Sequence, residues 1–128
     1  MITIGDISRR IYDDCRFLGV PIFIRGAIPE GKLEKERVII NPKTIEDGTN
    51  WYRGYVEVNY LVPDRNGEEN GIRLDEVERC LKPLFYKQGV IDGTRYRYRR
   101  YSIGREQESS LECHFVNIRL LVEIQKVI

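Results

Sequence analysis

The chain has little of what most catalytic and metal sites require. It contains one histidine and three cysteines, and Cys15, Cys80 and Cys113 lie far apart, without CxxC or Cys/His spacing. No nucleophile elbow (GxSxG), phosphate loop (GxxxxGK[ST]) or zinc-protease motif (HExxH) occurs. His114 has no partner residue close to it in the sequence, so it is expected at the rim of a strand. The sequence therefore predicts a protein that is not an enzyme and has no metal site and no cofactor.

Long apolar runs and a charge bias are missing as well. No stretch approaches the ~18 apolar residues of a membrane helix, and no apolar segment follows a basic start. The 21 Lys and Arg residues nearly cancel the 20 Asp and Glu residues, so the net charge of +1 provides no overall attraction to nucleic acid or membranes. Unpaired cysteines at apolar positions are typical of buried thiols in a reducing compartment. We expect a soluble, intracellular protein without membrane contacts, folded as a single domain over residues 1–128.

A strand pattern at residues 52–64 is the most regular feature of the chain. Apolar or small residues alternate with polar or aromatic ones, and the pattern stops at Pro63. This period of two is typical of a half-buried strand, because successive side chains point to opposite faces of the sheet. The predicted inner face carries Gly54, Val56, Val58, Tyr60 and Val62, and the outer face carries Tyr55, Glu57 and Asn59.

Helical spacing of apolar residues predicts two helices. The first covers about residues 6–18, with Asp6 as its N-cap and Gly19 just after its end. The second follows a polar loop at 64–71 and should kink or end near Lys82, because a proline comes next.

The remaining segments predict strands separated by turns. The predicted strands are 21–25, 37–41, 95–103 and a long last strand. One face of the last strand carries Val116, Ile118, Leu120, Val122 and Ile124. The predicted connections are a long loop at 26–36, a linker at 89–93 and a polar turn at 104–110. The order α-β-β-β-α-β-β predicts an α+β fold: a mixed or antiparallel twisted sheet with two helices packed on one face.

Two groups of residues are candidates for contacts. Arginine and tyrosine alternate in the strand at 95–103, and the doubled Arg99-Arg100 indicates a bulge. Such a strand can bind nucleic acid through phosphate contacts and base stacking. In the alternative interpretation the tyrosines point inward and the arginines are balanced by glutamates at 106, 108 and 112 on a hairpin partner. Three aromatic residues at the start of the central strand are either exposed for protein contacts or, for the tryptophan, folded into the core. The candidate contact residues are Trp51, Tyr52, Tyr55, Arg95, Arg97, Arg99 and Arg100.

The order of elements resembles small tail-completion proteins of tailed phages and prophages. The sequence echo is Arg53-Gly54 leading into Val56-Glu-Val-Asn59 and Val62-Pro-Asp64, followed by Arg73-Leu74 at the next helix. This resemblance, to tail-terminator and head–tail joining proteins, implies a structural subunit of virion assembly that forms a homo-oligomeric ring and contacts other tail or connector proteins. It implies a location in the cytoplasm of the bacterial host and, after assembly, in the virion. The loops at 26–36 and 64–71 would contact neighbouring subunits or the tail tube.

A second function remains open at this point. The same Arg/Tyr strand at 95–103 would serve a nucleic-acid-binding module, whose affinity falls steeply with salt.

Overall fold

The computed structural model describes residues 2–24 and 31–126, and it confirms the predicted α+β class. In chain order the elements are α1 Ile4–Asp14, β1 Ile22–Ile24, β2 Arg37–Asp47, β3 Trp51–Pro63, α2 Gly71–Cys80, β4 Tyr86–Ile91, β5 Thr94–Glu108 and β6 Cys113–Gln125. The predicted order therefore holds except that one strand, β4, was missing from it. Residues 26–30 of the predicted long loop, and the end of the predicted strand at 21–25, lie outside the described residues.

The strands form one mixed sheet in the spatial order β1-β2-β3-β6-β5-β4. β1 runs parallel to β2, and the other neighbouring strands are antiparallel. β3 pairs with β6 over its whole length, from Trp51 opposite Gln125 to Pro63 opposite Cys113. The predicted strand at 52–64 is thus an interior strand, and it ends at Pro63 as predicted.

Both helices pack on one face of the sheet, which we call the covered face. The two inward rows predicted for β3 and β6 are confirmed, because every second residue of these strands is buried there. The helices contribute their own apolar stripes to the same cluster. The members from the helices and from these two strands are Ile7, Ile11, Leu74, Val77, Val56, Val58, Tyr60, Val62, Val116, Ile118, Leu120, Val122 and Ile124.

The ends of the helices follow local capping rules. The N-cap of α1 is Thr3 rather than Asp6: the Thr3 hydroxyl accepts the Asp6 N–H at 3.1 Å, and the Asp6 carboxylate accepts the Thr3 N–H at 2.9 Å. This reciprocal pair is a capping box, which moves the start of the helix three residues earlier. A short 3-10 turn extends the helix to Leu18, and Gly19 follows with a φ of 69°. The second helix ends at Cys80, before a 3-10 turn at Lys82–Phe85, as predicted from the proline.

β2 continues through Pro42, where the sequence predicted a break. The pairing of β2 with β3 shifts register between Pro42 and Ile45, so the proline lies at a bulge, one of the few strand positions that tolerate its missing N–H. The bulge brings the two backbones close together. A Cβ added at Gly54 would lie 2.7 Å from the Thr44 carbonyl oxygen, so this strand position requires glycine.

The predicted linker at 89–93 is instead the second half of β4 and the turn that follows it. β4 pairs with β5, and Asp92 and Gly93 form the two-residue turn with φ values of 49° and 78°. An Asp-Gly pair with positive φ at both positions is typical of a tight hairpin. Gly89 lets the ring of Tyr96 lie against the strand, since a Cβ there would be 2.7 Å from the Tyr96 hydroxyl oxygen.

β5 is longer than predicted and contains the predicted bulge. The segment 104–108 was expected to be a turn, but it pairs with β6 as far as Glu108 opposite Cys113. The register shifts between Arg100 and Ser102, which leaves Tyr101 as the extra residue. As a result, Arg97 and Arg99 before the bulge and Arg105 after it point to opposite faces of the sheet.

Within residues 2–24 and 31–126, the other face of the sheet is covered only at one end. There Leu33, from the described part of the predicted loop, packs with Leu61, Leu111 and Cys113 in a second, small buried cluster. The Leu33 N–H donates to the Leu111 carbonyl at 2.8 Å. This segment therefore anchors one end of the face and leaves the remainder uncovered.

Candidate protein-interaction face

We call the uncovered part of this second surface the open face. It is formed by the odd-numbered residues of β3 from Trp51 to Asn59, those of β6 from Asn117 to Glu123, and the outward arginines of β5. Apart from Leu121, its side chains are charged, amide or aromatic, in contrast to the mainly aliphatic covered face. Two carboxylates, Glu123 and Glu57, organise the cations around them.

Glu123 holds two arginines from different strands. It is only 5% exposed, and it accepts the Arg53 Nε–H at 2.9 Å and the Arg97 Nε–H at 3.0 Å. The Arg97 guanidinium also lies 4.5 Å from the centre of the Trp51 ring, a cation–π geometry. The arrangement follows from the register, because Glu123 is directly opposite both arginines on the neighbouring strands.

A depression of about 360 Å³ lies beside this cluster, and we call it the arginine pocket. Burial of the Glu123 side chain opposes its ionisation, but the hydrogen bonds from Arg97 and Arg53 outweigh that effect and lower its pKa. Glu123 is therefore a carboxylate at neutral pH. The residues that line the pocket are Arg53, Tyr86, Arg97, Arg99, Leu121 and Glu123.

Glu57 is the centre of a second cluster, farther along β3. Its carboxylate lies 3.3 Å from Lys43 Nζ and 3.6 Å from an Arg119 Nη atom. Asn117 donates to Glu57 at 3.2 Å and to Asn59 at 2.6 Å. Each cation of this cluster is thus close to a carboxylate, and two cations against one carboxylate leave a local charge of +1.

Aromatic rings complete the open face next to these clusters. Tyr55 and Tyr101 meet edge to face, with ring centres 5.3 Å apart and planes inclined by 66°. The Arg119 guanidinium lies 5.3 Å from the centre of the Tyr55 ring. Tyr101 remains 56% exposed. A partly exposed surface of tyrosine, tryptophan and arginine has the composition typical of protein-binding sites.

The structure separates the seven candidate residues between the two faces. Trp51, Tyr55 and the arginines at 95, 97 and 99 belong to the open face. Tyr52 packs at the border of the main core, under Lys126, whose Nζ is 5.0 Å from the ring centre. Arg100 lies on the helix side, 5.2 Å from the centre of the Phe85 ring. Tyr52 and Arg100 are therefore not part of the open face.

Two of the three tyrosines of the Arg/Tyr strand, Tyr96 and Tyr98, are in the core, whereas Tyr101 at the bulge is exposed on the open face. Tyr98 is fully buried and donates its hydroxyl to Asp14 of α1 at 2.5 Å; burial, followed by this bond to a carboxylate, raises its pKa. Tyr96 is 5% exposed. The interpretation with tyrosines inward and arginines outward is confirmed for residues 95–99 but is wrong for Arg100 and Tyr101 next to the bulge, and the partner acid of Arg97 is Glu123 rather than a glutamate at 106, 108 or 112. Those three glutamates follow the bulge or lie in the last turn, at the far end of the sheet.

Sequence reasoning missed several members of the open face. Arg53, Glu57, Tyr101, Arg119 and Glu123 were not among the candidate contact residues, because a single charged or aromatic residue in a strand is common. A signal was nevertheless present, since the charged residues on the outward rows of two long strands are Arg53, Glu57, Arg119 and Glu123. The cross-strand register that pairs them was not readable from the sequence.

A further ion-pair network lies on the helix side. Arg73 of α2 donates to Glu36 from Nε at 2.7 Å and from Nη2 at 2.8 Å, and Tyr60 donates its hydroxyl to Glu36 at 2.6 Å. The bonds from Arg73 outweigh burial and lower the pKa of Glu36, whereas burial, followed by the bond to Glu36, raises the pKa of Tyr60 to about 12. This network fixes the start of β2 to α2.

The histidine and the cysteines have structural surroundings. His114 Nδ1 is 2.7 Å from an Asp64 carboxylate oxygen, a tertiary partner that the sequence did not indicate. Cys15 and Cys113 are buried as predicted, and burial raises the pKa of their thiols to about 12 and about 11. Cys80 is exposed, contrary to the prediction, because it lies beside the buried stripe of α2.

Residues 2–24 and 31–126 contain neither a metal-binding cluster nor a membrane-spanning helix. Among them, no group of three histidine, cysteine or acidic side chains is arranged to hold a metal ion. None of their helices combines the length and apolar character needed to cross a membrane.

Comparison with known proteins adds information on the fold. No protein-family model matches the chain, and no curated protein matches it. A solved structure, whose printed name states no activity, aligns with 95% of this chain and 92% of its own length, with a TM-score of 0.50 and 18% sequence identity. At this identity the similarity shows the fold alone.

Proposed function

We propose that this protein is a non-enzymatic structural subunit that assembles into a ring through its open face, as a tail-terminator or head–tail joining protein of a phage or prophage does. In this role it is present in the cytoplasm of the bacterial host and, after assembly, in the virion. Its partners are copies of itself and other tail or connector proteins. The observation that carries the proposal is the open face, which displays partly exposed aromatic rings and arginines.

The packing of the open face supports a protein partner. Tyr55, Tyr101 and Trp51 have large rings with few rotatable bonds, so their contacts cost little conformational entropy. Glu57 and Glu123 hold the neighbouring cations in fixed positions, which reduces the ordering cost of binding. A surface with preset arginines and partly exposed rings has the features of interface hot spots.

A nucleic-acid-binding function remains the second candidate. It is favoured by the outward arginines at 95, 97 and 99, which share a face with Trp51 and Tyr101. Against it, Tyr96 and Tyr98 are buried and unavailable for stacking, and several of the open-face cations are already paired with carboxylates. We therefore rank it below protein assembly.

The test of the proposed function is the mass of the full chain in solution. Light scattering over a concentration series, followed by negative-stain imaging, should detect growth toward a closed ring. Tyr101→Ser should reduce this growth, because it removes an exposed ring from the centre of the open face. Phe17→Ser is the matched control: Phe17 is 52% exposed, against 56% for Tyr101, but lies next to the helices.

Different results separate the two candidates. If Phe17→Ser reduces the mass as much as Tyr101→Ser does, the open face is not the assembly surface. A chain that stays monomeric but binds a single-stranded oligonucleotide, with affinity that falls steeply with salt, supports the nucleic-acid function instead.

A further inference from the structure

The arginine pocket carries more positive charge than its own carboxylate neutralises. Arg53, Arg97 and Arg99 line it together with one carboxylate, Glu123, so three positive charges against one negative leave a local charge of +2. Arg99 makes no salt bridge with any residue in the described part of the chain. The Glu57 cluster, by contrast, has two cations around its carboxylate and two neighbouring amides.

The hydrogen bonds to Glu123 orient Arg53 and Arg97 but involve only one donor nitrogen of each guanidinium. Both donate through Nε, and within residues 2–24 and 31–126 their terminal Nη groups donate to no protein acceptor. Arg53 and Arg97 keep 62% and 41% of their side chains exposed. The Nη groups are therefore positioned to donate to a second anion, and a planar guanidinium suits a carboxylate in particular.

The positive charge is distributed in a way that favours binding of a single anionic group over binding of a nucleic-acid backbone. The excess is concentrated in one depression of about 360 Å³, whose floor and rim include Leu121 and Tyr86. A polyanion would instead need cations repeated along its path. Lys43 on β2 and Arg119 on β6 are held by Glu57, and on β5 Arg95 is the one outward arginine beyond the pocket. An apolar wall beside a small basic pocket fits an acidic side chain of a protein.

The chain has suitable acidic residues at the opposite end of β3. A tight turn follows the strand, with Asn66 and Gly67 at φ values of 53° and 77° and a backbone bridge between Arg65 and Glu68. Glu68 and Glu69 are exposed and make no salt bridge with a described residue. We call Arg65–Glu69 the acidic turn.

We propose that the arginine pocket binds a glutamate of the acidic turn from a second copy of this chain. The contact joins two different surfaces, so it is heterologous, and such contacts either close into a ring or continue as a filament. This inference rests on the proposed function and identifies the docking site that the assembly would use. Complementary charge would speed association and fix the register between subunits.

Exchange of the charges tests the contact. Arg99→Glu in one variant and Glu68→Arg with Glu69→Arg in another should each weaken self-association by about tenfold or more, as measured by sedimentation. Arg99 is chosen because Arg53 and Arg97 also hold Glu123. An equimolar mixture of the two variants should form heterodimers, since the first variant retains the native acidic turn and the second retains the native pocket.

The control variant is Lys82→Glu, which makes the same charge change at an exposed position on the helix side. It should associate like the unaltered chain, and circular dichroism should show all variants folded. The inference is wrong if either charge variant associates normally, if the mixture stays monomeric, or if the unaltered chain remains a monomer throughout. The inference is also wrong if Arg99→Glu abolishes oligonucleotide binding but leaves self-association unchanged.

The proposed function and this inference fail in different ways. A ring that persists in both charge variants contradicts the pocket contact and leaves the ring assembly standing. Open, charge-dependent chains without a closed ring contradict the ring and leave the pocket contact standing.

Discussion

The covered face and the open face are built by alternate residues of the same strands, but different interactions stabilise them. On β6, Ile118, Leu120 and Val122 are fully buried under the helices, while Arg119 and Leu121, between them, belong to the open face. Burial of apolar area, which is not directional, stabilises the first. Ion pairs, amide hydrogen bonds and aromatic contacts, which depend on position, organise the second.

This difference shows how one sheet can separate stability from recognition. A change on the covered face alters the packing of the core, where even one methylene group matters. A change on the open face alters charge and shape at the surface, where most substitutions have small effects on stability. Assembly surfaces can therefore be tested on this chain without loss of the fold.

Neighbouring leucines on β6 provide the largest contrast. Leu120→Ala should lower the free energy of unfolding by about 2–5 kcal/mol, because it leaves a cavity in the fully buried cluster. Leu121→Ala, its matched control on the open face, should cost about 1 kcal/mol or less. Urea unfolding of both variants measures the difference. Equal losses would show that the open face is packed as tightly as the core.

Glu123→Gln should have an intermediate effect, because it removes the one nearly buried charge of the open face. The loss of hydrogen bonds to Arg53 and Arg97 should cost about 1–3 kcal/mol at neutral pH. Since the pKa of Glu123 is lowered by folding, its contribution is present above the unfolded-state pKa and disappears as the pH falls through the folded-state pKa.

The measurement for Glu123 is urea unfolding at neutral pH and at several acidic pH values. The unaltered chain should lose more stability on acidification than Glu123→Gln, so the two should converge below the folded-state pKa. Glu46→Gln, at an exposed position of β2, serves as the control and should behave like the unaltered chain. A constant difference at all pH values would contradict the role of the Glu123 charge.

Arg119→Gln should have the smallest effect. Its 3.6 Å ion pair with Glu57 is partly exposed, so its contribution is expected at about 0–1 kcal/mol. A double-mutant cycle with Glu57→Gln isolates this pairwise term, which should decrease at high salt because the charges are screened. A coupling above that range, or one insensitive to salt, would indicate a more buried pair than the geometry gives.

The predictability of the fold differed between its parts for physical reasons. Alternation on β3 and β6 was readable because each strand has one aliphatic row, and the proline after α2 correctly marked the end of that helix. β4 was missed because Gly89 weakened its strand pattern, although Asp92-Gly93 was a hairpin signal. Pro42 was read as a break because the bulge that accommodates it depends on the pairing with β3.

The sequence by itself determined which residues are inward and which are outward, since local periodicity sets that choice within each strand. It thereby determined the α+β class and the outward direction of the arginines at 95, 97 and 99. Only the tertiary structure decided which outward residues meet. Glu123 is 26 residues from Arg97 and 70 from Arg53 in sequence, and the register of β6 between β3 and β5 brings them together. The arginine pocket is therefore a product of strand pairing, which no local pattern encodes.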